Sequence, residues 1–127
     1  MLNENVKKVL TENNWSIATY GEGVNVVPVG IKAVMNDTTL IIADNFLGKT
    51  KANILSTGLI AISAYSPATG EGYQIKGKAE HFSEGELFQQ WHDTFVAKYQ
   101  MAPKGIVKVT VEKIYYTTPG ANAGKEV

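Results

Sequence analysis

The sequence predicts a mainly β fold, a small barrel with flanking helices, and three observations carry that reading. Six short segments have strand character, and most are joined by turns of a few residues. Helical stretches occur at the start, middle and late positions without a βαβα alternation, which excludes a doubly wound parallel sheet. The 127 residues, 44% hydrophobic and 19% charged, are globular in composition and suit one domain spanning 1–127. A chain of this length buries roughly two-thirds of its unfolded surface, enough for a core without disulfide or metal.

Leu2, Val6, Val9 and Leu10 recur at helical spacing, with Glu4 four residues before Lys8, so the chain opens on a short amphipathic helix ending at Asn13-Asn14. Trp15 to Tyr20 reads as a strand and Gly21-Glu22-Gly23 as a turn. From Asn25 to Met35 a second strand places Val27, Val29, Ile31, Ala33 and Met35 on one face. Asn36-Asp37 turns the chain into a short apolar strand from Thr39 to Ala43. After a loop from Asp44 to Gly48, Lys49 to Ser56 reads as a helix closed by Gly58. Leu59 to Tyr65 and Tyr73 to Phe82 are the fourth and fifth strands, joined through Pro67-Ala68-Thr69-Gly70. Ser83 and Glu86 have the spacing of a capping box, opening a helix with Leu87, Phe88, Trp91, Phe95 and Tyr99 on one face and Pro103 at its end. Val107, Val109 and Val111 alternate with polar residues in the last strand, and the tail from Thr117 to Val127 reads as irregular.

Twelve basic residues balance twelve acidic ones, so no general field attracts a polyanion, and nucleic-acid binding is not expected. There is no cysteine and only two histidines, His81 and His92, too few for an expected metal site. No apolar run approaches the ~20 residues of a membrane span. The polar first residues differ from a signal peptide, and the expected location is the cytoplasm. Nothing resembles a nucleophile elbow.

The most informative stretch is Ala43-Asp44-Asn45-Phe46-Leu47-Gly48-Lys49-Thr50, which nearly matches a nucleotide-binding phosphate loop, with alanine in place of its first glycine. The interior of the motif argues against a triphosphate. It lacks the glycine-rich backbone that wraps phosphates, Asp44 would repel them, and no parallel sheet follows. What survives is a helix start at Lys49 and Thr50, where free N–H groups, the macrodipole, a lysine and a hydroxyl suit a single phosphate monoester. On local features a solvated lysine and a capping threonine are the commoner outcome. Pro28 and Gly30 mark either an edge strand or a place where a flat ligand meets exposed backbone, two readings the sequence leaves equal.

The segments Trp15 to Thr19, Asn25 to Val29, Ile41 to Phe46, Lys49-Thr50 with Asn53, and Gly70 to Gly77 together resemble the pyridoxamine-5′-phosphate-oxidase-like FMN-binding proteins. The nearest look is to the short FMN-binding proteins of anaerobic microbes. The resemblance runs along nearly the whole chain, in order and with compatible spacing. It implies a six-stranded split β-barrel, built as a homodimer with FMN at the subunit interface. It implies that the phosphate sits at Lys49 and Thr50, with Asn53 nearby. The isoalloxazine ring would lie against Val27, Pro28 and Val29 and the loop Asp44-Asn45-Phe46. It also implies that the tail from Pro119 to Val127 folds over the neighbour's ring. The arginine–lysine pair of the pyridoxamine-phosphate oxidases is replaced here by Lys49-Thr50, and their longer C-terminal substrate motif is absent, which argues against vitamin B6 oxidation.

Because a flavin carries its own redox chemistry, the lack of an acid–base constellation is no obstacle to a redox role. The leading expectation is a flavin-dependent redox protein, either a carrier or a small reductase or oxidase. The rival is a non-enzymatic module that stores or senses FMN, and a nucleotide binder of phosphate-loop type is the remote third. Neither the substrate nor the redox partner is written in the sequence.

Overall fold

In the computed structural model, which describes residues 1–127, helix α1 (Glu4–Glu12) precedes strands β1 (Trp15–Tyr20), β2 (Val24–Val29), β3 (Lys32–Asn36) and β4 (Thr39–Asp44). Helix α2 (Gly48–Thr57) follows, then β5 (Leu59–Tyr65), β6 (Gly72–Phe82), α3 (Glu86–Tyr99) and β7 (Gly105–Tyr116). The strands form one seven-stranded sheet in the order β2-β1-β5-β6-β7-β4-β3. All its ladders are antiparallel.

The connectivity forces this sheet to curl. Its two edge strands, β2 and β3, are consecutive in the chain, separated only by Gly30 and Ile31. Three Cα steps from Val29 to Lys32 span at most about 11 Å. In a flat sheet six strand spacings would hold those edges ~29 Å apart. The edges therefore come round to meet, giving a split barrel.

The strand count is seven rather than six, because the segment read as one strand from Asn25 to Met35 is two. Up to Val29 it pairs with β1, and from Lys32 it pairs with β4. The face turns over at the junction: Val27 and Val29 join the barrel core, whereas Ile31 and Ala33 pack under α3. Met35 is exposed.

Inside the barrel, Ile17, Leu40, Ile42, Ile60, Ile62, Ile75, Val107, Val109 and Ile114 pack with Val6, Val9 and Leu10 of α1 and Ile54 of α2. Burying each such side chain contributes about 1.5–3 kcal/mol. Helix α1 starts at Asn3, whose side chain accepts from the Val6 N–H at 3.0 Å. Leu2 precedes the helix and is buried beside it. A smaller cluster of Ile41, Ala43, Ile106 and Phe95 lies beneath α3, lined by Leu87, Phe88, Trp91 and Tyr99. Strand β4 faces both clusters, so its residues are all buried and its run of apolar side chains is nearly continuous.

Two boundaries differ from expectation. Gly85, at φ 97°, caps α3, and Ser83 makes no capping bond, because the helix begins only at Glu86. The same helix ends at Tyr99, well before Pro103, through Gln100 in the left-handed conformation. Strand β7 ends at Tyr116, where the irregular tail was expected to begin, but that tail pairs with it. Tyr116 N–H donates to Lys125 O at 2.9 Å, and Val127 N–H to Ile114 O at 2.9 Å. Beyond the start of β4 at Thr39, which pairs with Thr110, the tail thus covers ladder groups of β7 that β4 does not reach.

Candidate functional site

The candidate site is built on the junction between β4 and α2 and on the facing edge strand β2. Helix α2 forms where sequence predicted it and ends at Gly58, whose φ of 67° is the left-handed cap that favours glycine. Its start is unusual. The N-cap is Leu47, which has no side-chain oxygen to offer. Gly48 N–H donates to Phe46 O and Lys51 N–H to Leu47 O, leaving the N–H groups of Lys49 and Thr50 without a protein acceptor. Free donors at a helix start attract an anion, and the macrodipole adds to the attraction.

The side chains around this turn are fixed by hydrogen bonds to the β1–β2 hairpin. Thr50 is buried, and its Oγ1 accepts from Asn25 Nδ2 at 2.8 Å, which leaves the hydroxyl hydrogen uncommitted. Asn53, also buried, donates from Nδ2 to Thr19 Oγ1 at 3.2 Å and to the Gly23 carbonyl at 3.3 Å. Thr57 Oγ1 donates to the Tyr20 carbonyl at 2.6 Å. Lys49 itself is exposed. Together with Ala52, Asn53 and residues Glu22 to Asn25 it lines a recess of about 280 Å³. Glu22 is the one acidic group there, exposed on the turn.

Further along β2 a second groove, of about 380 Å³, runs between the backbone from Val27 to Ile31 and the facing Ala43, Asn45, Phe46 and Leu47. It is mostly apolar, as planar-ligand sites are. Phe46 stands at its rim, 91% exposed. Pro28 is exposed on an edge strand that has no partner beyond β1, so β2 is both the edge and one wall of the groove.

The structure therefore brings Val27, Pro28, Val29, Asn45 and Phe46 to one groove and Lys49, Thr50 and Asn53 to the adjoining helix start. Asp44 is different: its side chain points inward and is fully buried. Oδ1 accepts from the Leu47 N–H at 3.0 Å, and Oδ2 pairs with His81 Nε2 at 2.7 Å. The charge that argued against a phosphate in the sequence is thus committed elsewhere. Sequence reasoning missed Asn25, Ile31 and Leu47, left Gly30 open between an edge strand and a ligand contact, and weighed His81 only as a metal ligand.

Outside the groove, the outer face of β1, β2 and β5 is apolar. Tyr20, Val24, Val26 and Leu59 are exposed there, and the register sets Ala18 between Val26 and Ala61. No three His, Asp or Glu side chains converge as a metal site, and no helix is long and apolar enough to cross a membrane.

Comparison with known proteins places this architecture. Residues 2–118 match the sequence profile described as pyridoxamine 5′-phosphate oxidase. An uncharacterised protein of Methanocaldococcus jannaschii is 37% identical over 87 residues, 68% of this chain and 58% of that protein, so the chain spans little more than half of that relative's length. Among solved structures, HupZ of Group A Streptococcus superposes with a TM-score of 0.87 at 27% identity, covering 98% of this chain and 100% of that one. An FMN-binding protein from Syntrophomonas wolfei shares the fold, with a TM-score of 0.78 at 20% identity, covering 94% of this chain and 88% of that one. With the family profile matching nearly the whole barrel, this chain belongs to the pyridoxamine 5′-phosphate oxidase family.

Proposed function

We propose that the chain binds FMN along β2 and the β4–α2 junction and serves a redox reaction or electron transfer as a homodimer. One observation carries the reading: the free N–H groups of Lys49 and Thr50 open beside an apolar groove walled by an edge strand. A phosphate at the α2 start accepts from those two groups, from the Thr50 hydroxyl and from the Lys49 ammonium. Asn25 orients the hydroxyl, and Asn53 ties α2 to the hairpin, so these donors are set before the ligand arrives. In the groove, β2 offers unpaired edge groups to the polar rim of the ring, while the backbone from Val27 to Ile31 and the loop side chains cover its faces. Once bound, the flavin supplies the electron chemistry, and the protein supplies orientation and exclusion of water.

The homodimer rests on the apolar face of Tyr20, Val24, Val26 and Leu59. Such a contiguous exposed patch on a sheet ending in an unpaired strand is best completed by a copy of itself. The test is titration of the purified protein with FMN and with riboflavin. Tight FMN binding near one per chain, with much weaker riboflavin binding, is the expected result. A spectrum without flavin bands that added FMN leaves unchanged overturns the proposal.

A further inference from the structure

A buried carboxylate persists only where donors replace the water it has lost. Asp44, fully buried at the end of β4, has two: the Leu47 N–H on Oδ1 and the His81 imidazole on Oδ2. A carboxylate only accepts, so His81 Nε2 carries the hydrogen of that 2.7 Å bond.

The geometry of this pair is unusual because β7 lies between its two strands. His81 belongs to β6 and Asp44 to β4, and the sheet order is β6-β7-β4. The imidazole crosses β7 at Gly105, the residue paired with Asp44. A Cβ on Gly105 would stand 2.6 Å from the ring Cε1 and 2.7 Å from Nε2, so a side chain there would push the ring off its partner. Lys104 N–H also donates to the Asp44 carbonyl at 3.1 Å. Three strands are thus joined at one residue.

What that residue fixes is the loop. The bond from Leu47 N–H back to Asp44 closes the segment into a ring, which carries Asn45 and Phe46 to the groove and leads directly to Gly48 and Lys49. Phe46, almost wholly exposed, adds no packing that would hold the loop.

We propose that His81 is a positioning residue for the flavin. By bridging β7 to Asp44 it fixes the loop that sets Phe46 at the groove and aims the Lys49 and Thr50 N–H groups at the phosphate. This rests on the FMN reading above. Its reach is selective: the bridge governs the phosphate end of the site more than the ring's contact with β2, which comes from another part of the sheet.

Three full-length variants test it: His81→Ala, His81→Gln and Gly105→Ala. The readouts are the FMN and riboflavin dissociation constants, the visible spectrum of bound FMN, and amide exchange of Leu47 in the ligand-free protein. His81→Ala should speed Leu47 exchange ~10-fold or more and lower the preference for FMN over riboflavin about 10-fold. Gly105→Ala, which keeps both partners but blocks their approach, should do the same. His81→Gln, which keeps a donating N–H, should recover most of the preference and the wild-type spectrum. If His81→Ala does not fold, the other two variants make the same comparison. Wild-type Leu47 exchange and an unchanged preference in His81→Ala and Gly105→Ala overturn the inference, as does lowered thermal stability with the preference intact. A wild-type protein that does not prefer FMN to riboflavin overturns the parent reading instead, and the ligand-free exchange data tell the two failures apart.

Discussion

Replacing Thr50 by valine isolates one hydroxyl at the core of the site. Thr50 is 2% exposed, and valine has nearly the same shape, so the substitution opens no cavity. In the ligand-free protein one neutral hydrogen bond is lost, the 2.8 Å contact from Asn25 Nδ2. That costs about 1 kcal/mol, and the half-buried Asn25 amide can still reach water. A melting temperature lower by ~3–5 °C is expected for a domain of this size. With FMN bound the loss is larger, because a hydroxyl donating to a phosphate makes a charge-assisted bond of about 1.5–3 kcal/mol, or ~10- to 100-fold in affinity. Riboflavin has no phosphate and should bind the variant and the wild type alike. Isothermal titration with both ligands measures the difference. Equal weakening of the two, or unchanged FMN affinity alongside the lowered melting temperature, refutes the placement of the phosphate at Thr50.

Four further outcomes follow from the same structure. Lys49→Ala should lower FMN affinity ~10- to 100-fold while leaving riboflavin affinity and stability nearly untouched, since the side chain is exposed; paired titrations decide it. Phe95→Ala should cost about 3–5 kcal/mol in urea unfolding, because Phe95 is the only fully buried side chain of α3 and the anchor of the outer cluster. If the exposed face of β2 forms the proposed dimer, Val26→Asp should leave the 13.8 kDa monomer in light scattering without unfolding it, whereas the unaltered protein should run at twice that mass. Truncation after Thr118 should expose the β7 groups now paired to Lys125 and Val127, and should speed air reoxidation of the reduced flavin if the tail shields a neighbour's ring; identical rates would contradict that shielding.

The elements most legible in the sequence are those whose signal is local. Leu87, Trp91, Phe95 and Tyr99 fall every four residues and do form the inner stripe of α3, since nothing but the helical period is needed to see it. The α2 start was likewise visible in Lys49 and Thr50. The single strand from Asn25 to Met35 was misread for a physical reason. Its alternation continues across Gly30-Ile31 while the pairing partner changes from β1 to β4, and pairing leaves no trace in a local pattern. The capping box at Ser83 failed because Gly85, free to take a positive φ, starts the helix two residues later than the motif requires. Asp44 looked like a repelling charge because its partner, His81, lies 37 residues away. Its neutralising contact also depends on the missing side chain of Gly105. Of the groove residues at β2, Pro28 and Gly30 carried a local signal that left edge strand and ligand contact equal, and Val27 and Val29 were recognised only through the family resemblance.

The central claim is that the N-terminus of α2 holds the phosphate of FMN. A crystal structure of the protein grown with FMN tests it most directly. The account predicts phosphate oxygens about 3 Å from the backbone nitrogens of Lys49 and Thr50 and from Thr50 Oγ1, with the ring against the β2 backbone between Val27 and Val29. A phosphate bound away from α2, or a ring that leaves the β2 edge uncovered, would contradict it.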